Sequence, residues 1–253
     1  MSRVPIPHTL SDLVDNKRIY PEKLRTDILQ EFYCTHLVPN AYIFKLSNSD
    51  TIKLTFSESQ FCHTIGLSYF DYNGQSGWDK LVLSPKTISD FESFPKYKMV
   101  LSRIINFNRI LQLLNSPDVY LYNAEDFPQF NYKSNYFAVF NSSNRLHKLG
   151  IGVGNDGIHY GETYIVSLDK PEFNKELAPK NLLTIIDKDI TTKEDFLQRR
   201  HDQLEQNSTL SDLNELYTFP IIVDNSQTLD QQDENMSADI SENSNNNDEE
   251  NAS

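Results

Sequence analysis

The sequence predicts an α+β fold, with N-terminal helices packed on an antiparallel β-sheet and a disordered acidic tail at the C-terminal end. Three observations lead there. Helical spacing of apolar residues dominates up to about residue 115. From there to about Asp187, short β-like runs alternate with polar or Gly-containing turns, with no helical crossover between them, which favours antiparallel over parallel pairing. Beyond Asp224 scarcely an apolar residue remains, so that stretch cannot offset the entropy cost of ordering. The 253 residues divide accordingly into an extension (1–19), an α+β domain (20–190), a helical or extended segment (191–223) and the acidic tail (224–253).

The opening stretch to about His8 is punctuated by proline and reads as irregular. Pro21 suits the first turn of a helix because its missing amide hydrogen has no helical partner there, and Leu24, Ile28, Leu29 and Phe32 then recur on one face to about Thr35. Pro39 ends that helix. Tyr42 to Leu46 and Thr51 to Phe56 read as strands around the polar turn Ser47-Asn48-Ser49-Asp50, with Ile52, Leu54 and Phe56 alternating with polar residues. Ser57 and Gln60 form a capping box ahead of a short helix carrying Phe61 to Ile65, and Gly66 supplies its left-handed exit. Asp71 to Gly77 reads as a loop, followed by a longer helix from about Lys96 to Asn115 with Val100, Ile104, Phe107, Leu111 and Leu114 along one stripe. Five strands are expected after Ser116-Pro117: Val119 to Tyr122, Tyr136 to Phe140, Leu146 to Val153, Ile158 to Leu168 and Leu182 to Ile186. Asp195 to Gln206 has the composition of a charged surface helix, and Leu210 to Val223 reads as a last short segment.

Charge is distributed unevenly. The chain carries 23 Lys and Arg against 36 Asp and Glu, a net −13, but nine of the acidic residues lie between Asp224 and Ser253, where no Lys or Arg occurs. Residues 1–223 therefore hold 23 against 27, or −4, a balance that permits a locally basic site for nucleic acid. The first residues lack the apolar run of a secretory signal, and no stretch approaches the roughly 18 consecutive apolar residues of a membrane span. Two cysteines cannot form a disulfide framework, so reduced thiols and a cytoplasmic location are expected, with no membrane contact.

Several residue groups carry potential chemistry. Gly152-Val153-Gly154-Asn155-Asp156-Gly157 matches a dinucleotide-binding string in form, but strand sequence follows it where a helix is required, so a hairpin turn is expected instead. Cys34, His36, Cys62 and His63 lack the paired spacing of a zinc site, and neighbours in a helix diverge by roughly 100°. No metal and no cofactor are expected, and Cys34 and Cys62 read as core thiols. His63, between the anchoring Phe61 and Ile65, sits on a helix that can hold it still enough for proton transfer. Arg145, His147 and Lys148 on one strand face His159, Thr163, Tyr164 and Ser167 on the next if the turn at Gly154 to Gly157 makes a hairpin, and period-2 alternation puts Arg145 and His147 on one face and Lys148 on the other. A cation and hydroxyls of this kind suit a phosphoryl-transfer site. Walker, H-E-x-x-H, G-x-S-x-G, EF-hand and protein-kinase signatures are missing, and no D-x-D-like cluster occurs outside the tail.

Ile52-Lys53-Leu54-Thr55-Phe56 followed by Phe61-Cys62-His63-Thr64-Ile65-Gly66-Leu67 resembles the strand and F-x-H-L-x-G-[ILV] segment that opens the phage-barnase-EndoU-colicin-RelE-like nuclease domains, specifically their fourth group. The later helix and the β-rich half ending in Glu162-Thr163-Tyr164-Ile165-Val166-Ser167-Leu168 resemble the remainder, so the likeness spans roughly residues 20 to 190. The group occurs in phages, prophages and mobile elements and is inferred to comprise metal-independent RNases. The resemblance implies a barnase-like arrangement of helices before a small antiparallel sheet, and RNA cleavage by attack of the 2′-hydroxyl on its own phosphate to leave a 2′,3′-cyclic end. His63 carries over by motif, Thr163 or Ser167 matches the late hydroxyl position, and Thr64 stands where leucine is usual.

The expected function is thus a metal-independent endoribonuclease of phage or prophage origin. His63 would transfer the proton, Arg145 or Lys148 clamp the phosphate, and Thr163 and Ser167 position it. RNA is the expected substrate, and a cognate inhibitor or a basic protein the expected partner. The alternative from another class is a non-catalytic interaction protein with a nuclease-like fold, its acidic tail binding a basic partner or mimicking nucleic acid. The first reading needs His63 open to a cleft and beside a cation; the second permits its burial.

Overall fold

The structure, a computed structural model, describes residues 6–211, with side chains described up to Leu204. Leu210 lies at the last described positions, and the expected segment to Val223 and the acidic tail fall outside the described residues. The fold is mixed α+β, with helices and one eight-stranded sheet. Residues 6–204 belong to a single structural unit. No helix among the described residues is long and apolar enough to cross a membrane.

The N-terminal segment is more ordered than its prolines suggest. Thr9 and Asp12 form a reciprocal cap for α1 (Leu10–Val14), and Leu13 and Ile19 bury in the main core. Pro21–Lys23 is a single 3-10 turn, after which α2 (Thr26–His36) presents Leu29, Phe32 and Tyr33 inward. Strands β1 (Asn40–Leu46) and β2 (Thr51–Thr55) form the expected hairpin. Helix α3 (Glu58–Ile65) has the expected reciprocal cap between Ser57 and Gln60 and ends at Gly66 with φ +87°.

Two helical expectations need correction. Residues expected as a loop enter α4 (Gly74–Leu83), whose Trp78 and Leu81 are buried. Gly77 is required there by close packing, since a Cβ would lie 2.4 Å from the carbonyl carbon of Tyr72. Packing against that backbone outweighs the poor helical propensity of two glycines and a serine. The helix expected from Lys96 to Asn115 is broken into α5 (Tyr97–Ile104), a 3-10 turn (Phe107–Arg109) and α6 (Ile110–Asn115). At the break the Asn106 side chain donates to Ser102 O at 2.8 Å and Tyr164 Oη donates to Asn106 O at 2.8 Å, so tertiary partners occupy groups a continuous helix would use.

Strands β3 (Asp118–Leu121), β4 (Tyr136–Ser142), β5 (Arg145–Val153) and β6 (His159–Leu168) form an antiparallel meander. Val153 and His159 close the β5–β6 hairpin around Gly157 (φ +75°), where Gly157 N–H donates to Gly154 O and Gly154 N–H to Ile158 O. The glycine string is therefore a turn. The last expected strand is two, β7 (Leu182–Leu183) and β8 (Ile185–Thr192), separated only by Thr184. The sheet order is β7-β3-β4-β5-β6-β2-β1-β8. Because β7 pairs β3 and β8 pairs β1, one short stretch of chain bonds to both edges and curls the sheet until they meet. β8, at one end of the sheet order and paired only with β1, carries the sheet past residue 190. Helix α7 (Lys193–Ser211) follows.

The expected wholly antiparallel sheet is corrected at one place. Strands β2 and β6 pair in parallel, and only at Leu54–His159 and Thr55–Tyr160. This junction unites the β1–β2–β8 and β3–β6 portions. On its helical side lies the main core, centred on Tyr33, whose ring meets those of Phe56, Phe61, Trp78 and Phe107 at 5.2–6.4 Å between centroids. Each such ring contributes roughly 1.5–3 kcal/mol by burial. On the opposite sheet face Tyr122, Phe137 and Val139 form a second cluster, against which Tyr132 packs.

Gly66 lets the end of α3 pack closely against α5. A Cβ there would meet Val100 Cγ1 at 3.2 Å and Arg103 Cδ at 3.4 Å, on a backbone conformation unfavourable to L side chains by about 1–2 kcal/mol. Gly66→Ala is expected to lower the unfolding free energy by about that much or more in urea titration; an unchanged midpoint and slope would refute the left-handed exit.

Candidate functional site

Helix α3 is fixed from both ends. Phe61, Cys62, Thr64 and Ile65 are buried, leaving His63 exposed between them. Tyr33 Oη donates to Ser57 O at 3.1 Å, and Thr64 Oγ1 lies 3.0 Å from Gly161 O of β6 and 2.9 Å from Gln60 O. Thr64, the departure from the leucine of the resembled motif, thus ties α3 to β6. Burial pushes the Cys62 thiol up to about 12, as befits an inert core thiol. Cys34 is only half-buried, and its thiol lies 3.8 Å from Glu58 Oε1. Among the described residues no group of three or more His, Cys, Asp or Glu side chains gathers to hold a metal ion.

His63 opens into a cavity of about 430 Å³ whose walls include Tyr69, Arg103, Tyr160, Glu162 and Thr163. Three of these are neighbours on β6, where strict alternation would send Glu162 and Thr163 to opposite faces. An irregularity prevents it. Gly150 pairs Thr163 and Ile151 pairs Gly161, leaving Glu162 as an extra residue, a β-bulge that turns Tyr160, Glu162 and Thr163 into one cavity. Glu162 accepts from Lys133 N–H at 2.9 Å and from the Ser134 hydroxyl, and so anchors the segment that brings Tyr132 and Lys133 to the rim.

Arg103, from α5, is the cation of this cavity. Its Nη1 donates to Thr163 Oγ1 at 3.2 Å, and its guanidinium stands 5.7 Å from the centre of the Tyr69 ring. It makes no ion pair with a carboxylate among the described residues. Burial pulls its pKa below the ordinary arginine value, but a guanidinium remains charged at neutral pH. Because Thr163 Oγ1 accepts from Arg103, its own hydrogen is left to donate to a ligand. A charged, half-buried donor with no carboxylate partner among the described residues, in one cavity with a hydroxyl and an exposed imidazole, suits an anion.

The structure brings together His63 and Thr163 of the expected site but not the other three residues. Lys148 is buried among other partners: its ammonium is bonded to Glu176 and lies 3.2 Å from Asn174 Oδ1. Ser167 Oγ donates to the same Asn174 Oδ1 at 2.6 Å. These two residues brace the sheet against the loop at Asn174–Glu176, and a lysine neutralised by a buried carboxylate has no charge to offer a phosphate. Arg145 is exposed at the start of β5 and lines a different cavity. The cation that lines the cavity with His63 is Arg103, which the sequence reading missed. Its only local signal is a lone arginine between Val100 and Ile104 in an apolar helix; nothing in the spacing joins it to Thr163, sixty residues on.

The expected division of β5 does hold. His147, on the face opposite Lys148, reaches Tyr164 Oη with Nδ1 at 2.7 Å. Since the single Tyr164 hydroxyl hydrogen goes to Asn106 O, Nδ1 of His147 must carry a hydrogen. No family model matches the chain, and no curated protein or solved structure is found to be similar to it.

Burial holds the His147 pKa down at about 4, with the Arg109 and Arg145 guanidiniums adding to the effect. A base whose folded pKa lies below its unfolded value of about 6.5 takes up its proton first in the unfolded chain. Stability from this residue is therefore intact above pH 6.5, declines between pH 6.5 and 4, and levels off below. The loss amounts to about 3 kcal/mol. Chemical denaturation of the parent and His147→Gln at stepped pH should show this slope in the parent and its absence in the variant.

Proposed function

We propose that this chain is a metal-independent endoribonuclease, and with it membership of the fourth group of phage-barnase-EndoU-colicin-RelE-like nucleases. One observation carries the reading: an exposed histidine, a guanidinium with no carboxylate partner among the described residues, and the hydroxyl bonded to it line a single cavity. That is the environment an RNase asks of His63, and it is unlike the fully apolar burial an interaction module permits. The wholly different origins of the three groups, from α3, α5 and β6, also argue for a site over a chance surface cluster.

In the proposed reaction His63 accepts the proton of the ribose 2′-hydroxyl as that oxygen attacks the adjacent phosphorus. Arg103 faces the oxygens on which negative charge builds, and Thr163 donates its free hydrogen to one of them. The bond from phosphorus to the 5′-oxygen breaks, the 3′ fragment leaves with a 5′-hydroxyl that takes its proton from water, and the 5′ fragment ends in a 2′,3′-cyclic phosphate. His63 then returns its proton to the hydroxide left behind. Tyr69, Tyr132 and Tyr160 offer faces on which an unstacked base can rest, as single-stranded RNA recognition requires. A cytoplasmic location and a phage or prophage source belong to the same proposal.

Purified full-length protein incubated with labelled RNA in EDTA should leave cyclic-phosphate ends. His63→Ala should reduce the rate by about 10²–10⁴-fold, and Arg103→Gln by about 10²–10³-fold. Thr163→Val should lose less. Cleavage unchanged in His63→Ala would remove the site, and a folded parent that cuts no RNA would favour the non-catalytic interaction protein.

A further inference from the structure

A second cavity, of about 550 Å³, lies where the chain before the Pro21 turn meets α5 and the start of β5. Five cationic side chains line it, Lys17, Arg18, Lys98, Arg109 and Arg145, and no Asp or Glu does. Lys17 is compensated, 2.7 Å from Asp12 and 3.8 Å from Asp15. The other four have no ion pair among the described residues. Arg109 is held in place, donating to Gln112 Oε1 at 3.1 Å and to Asn16 O at 3.4 Å. Arg145 stands on the hairpin between β4 and β5, whose turn residues Ser143 and Asn144 both take positive φ, the geometry of a tight two-residue loop.

Four cations in one concavity, none ion-paired among the described residues, stand out in a chain of net charge −13. Packed together they repel one another, and low-dielectric walls focus their field. The neighbouring His147 registers that field, since Arg109 and Arg145 both help to keep it neutral. An anion would relieve the repulsion, and guanidinium groups match the fork of phosphate oxygens.

We propose that this cavity is a phosphate-binding site, separate from the His63 cavity, which takes a phosphate group carried either by an RNA backbone or by a small phosphate such as a nucleotide. Arg109 forms its fixed donor, and Arg18, Lys98 and Arg145 close around the anion. The proposal does not depend on RNA cleavage at His63.

The test uses full-length protein in a His63→Ala background, so that no probe is consumed. Binding of a labelled oligouridine, of uridine monophosphate and of inorganic pyrophosphate is measured over a range of sodium chloride. The Lys98→Gln/Arg145→Gln pair removes two exposed cations from the cavity, and Lys80→Gln/Lys180→Gln removes two exposed lysines elsewhere. The cavity pair should weaken the probe that binds about tenfold or more relative to the control pair. For oligouridine the slope of log affinity against log salt should also fall by about 1.4, at about 0.7 per lost contact. Loss confined to oligouridine identifies a backbone phosphate; loss shared by the small probes identifies a free phosphate ligand. Curves of the cavity pair that overlay those of the control pair for every probe, or a parent that binds none, would overturn the proposal.

Discussion

The two-residue parallel contact between β2 and β6 is the constraint on which the rest of the molecule depends. It joins the two antiparallel portions of the sheet and ends after Thr55–Tyr160. Past that point β6 is without β2, and α3 takes its place, docking through the Thr64 hydroxyl on Gly161 O. A helix is thicker than a strand, so the substitution opens space beside β6. The bulge at Glu162 then turns consecutive polar residues into that space. The cavity at His63 thus lies between α3, α5 and the bulged part of β6.

Two buried cations show how differently the fold uses the same kind of charge. Lys148 is buried with Glu176 as its partner, and the pair, with Asn174 and Ser167, closes a polar network beneath a loop. Breaking such a pair from one side leaves an unpaired buried charge, which gives it a structural function. Arg103 is half-buried, bonded to a threonine hydroxyl and set against the Tyr69 ring. Among the described residues no carboxylate offsets its desolvation. The same contrast separates Lys17, which holds its own carboxylates, from Arg18, Lys98, Arg109 and Arg145 around the second cavity.

Legibility in the sequence followed the range of the interactions. The capping box at Ser57 and Gln60, the exit at Gly66, the β1–β2 hairpin and the Gly154–Gly157 turn were all readable because each is decided within a few residues. His63 was readable because its helix was. Helix α4 was not, since tertiary packing of Trp78, Leu81 and Gly77 overrides weak local propensity. The break at Asn106 depends on Tyr164, and the site cation on a meeting of Arg103 with Thr163, both pairings close to sixty residues apart.

The amino-acid order by itself determined the α+β class, most strands, the turn in the glycine string and the short anchored helix that presents His63, because period, caps and turns are local physics. It determined as well that Lys148 and Arg145 fall on opposite faces of one strand, a consequence of the pleat. Only the tertiary structure decided which cation stands beside His63, that Lys148 spends its charge on Glu176, that Arg145 joins a separate basic cavity, and that one strand pair runs parallel. Those outcomes rest on a single-residue bulge and a two-residue junction, where the balance of packing and hydrogen bonding among distant segments, rather than any local pattern, selects the register.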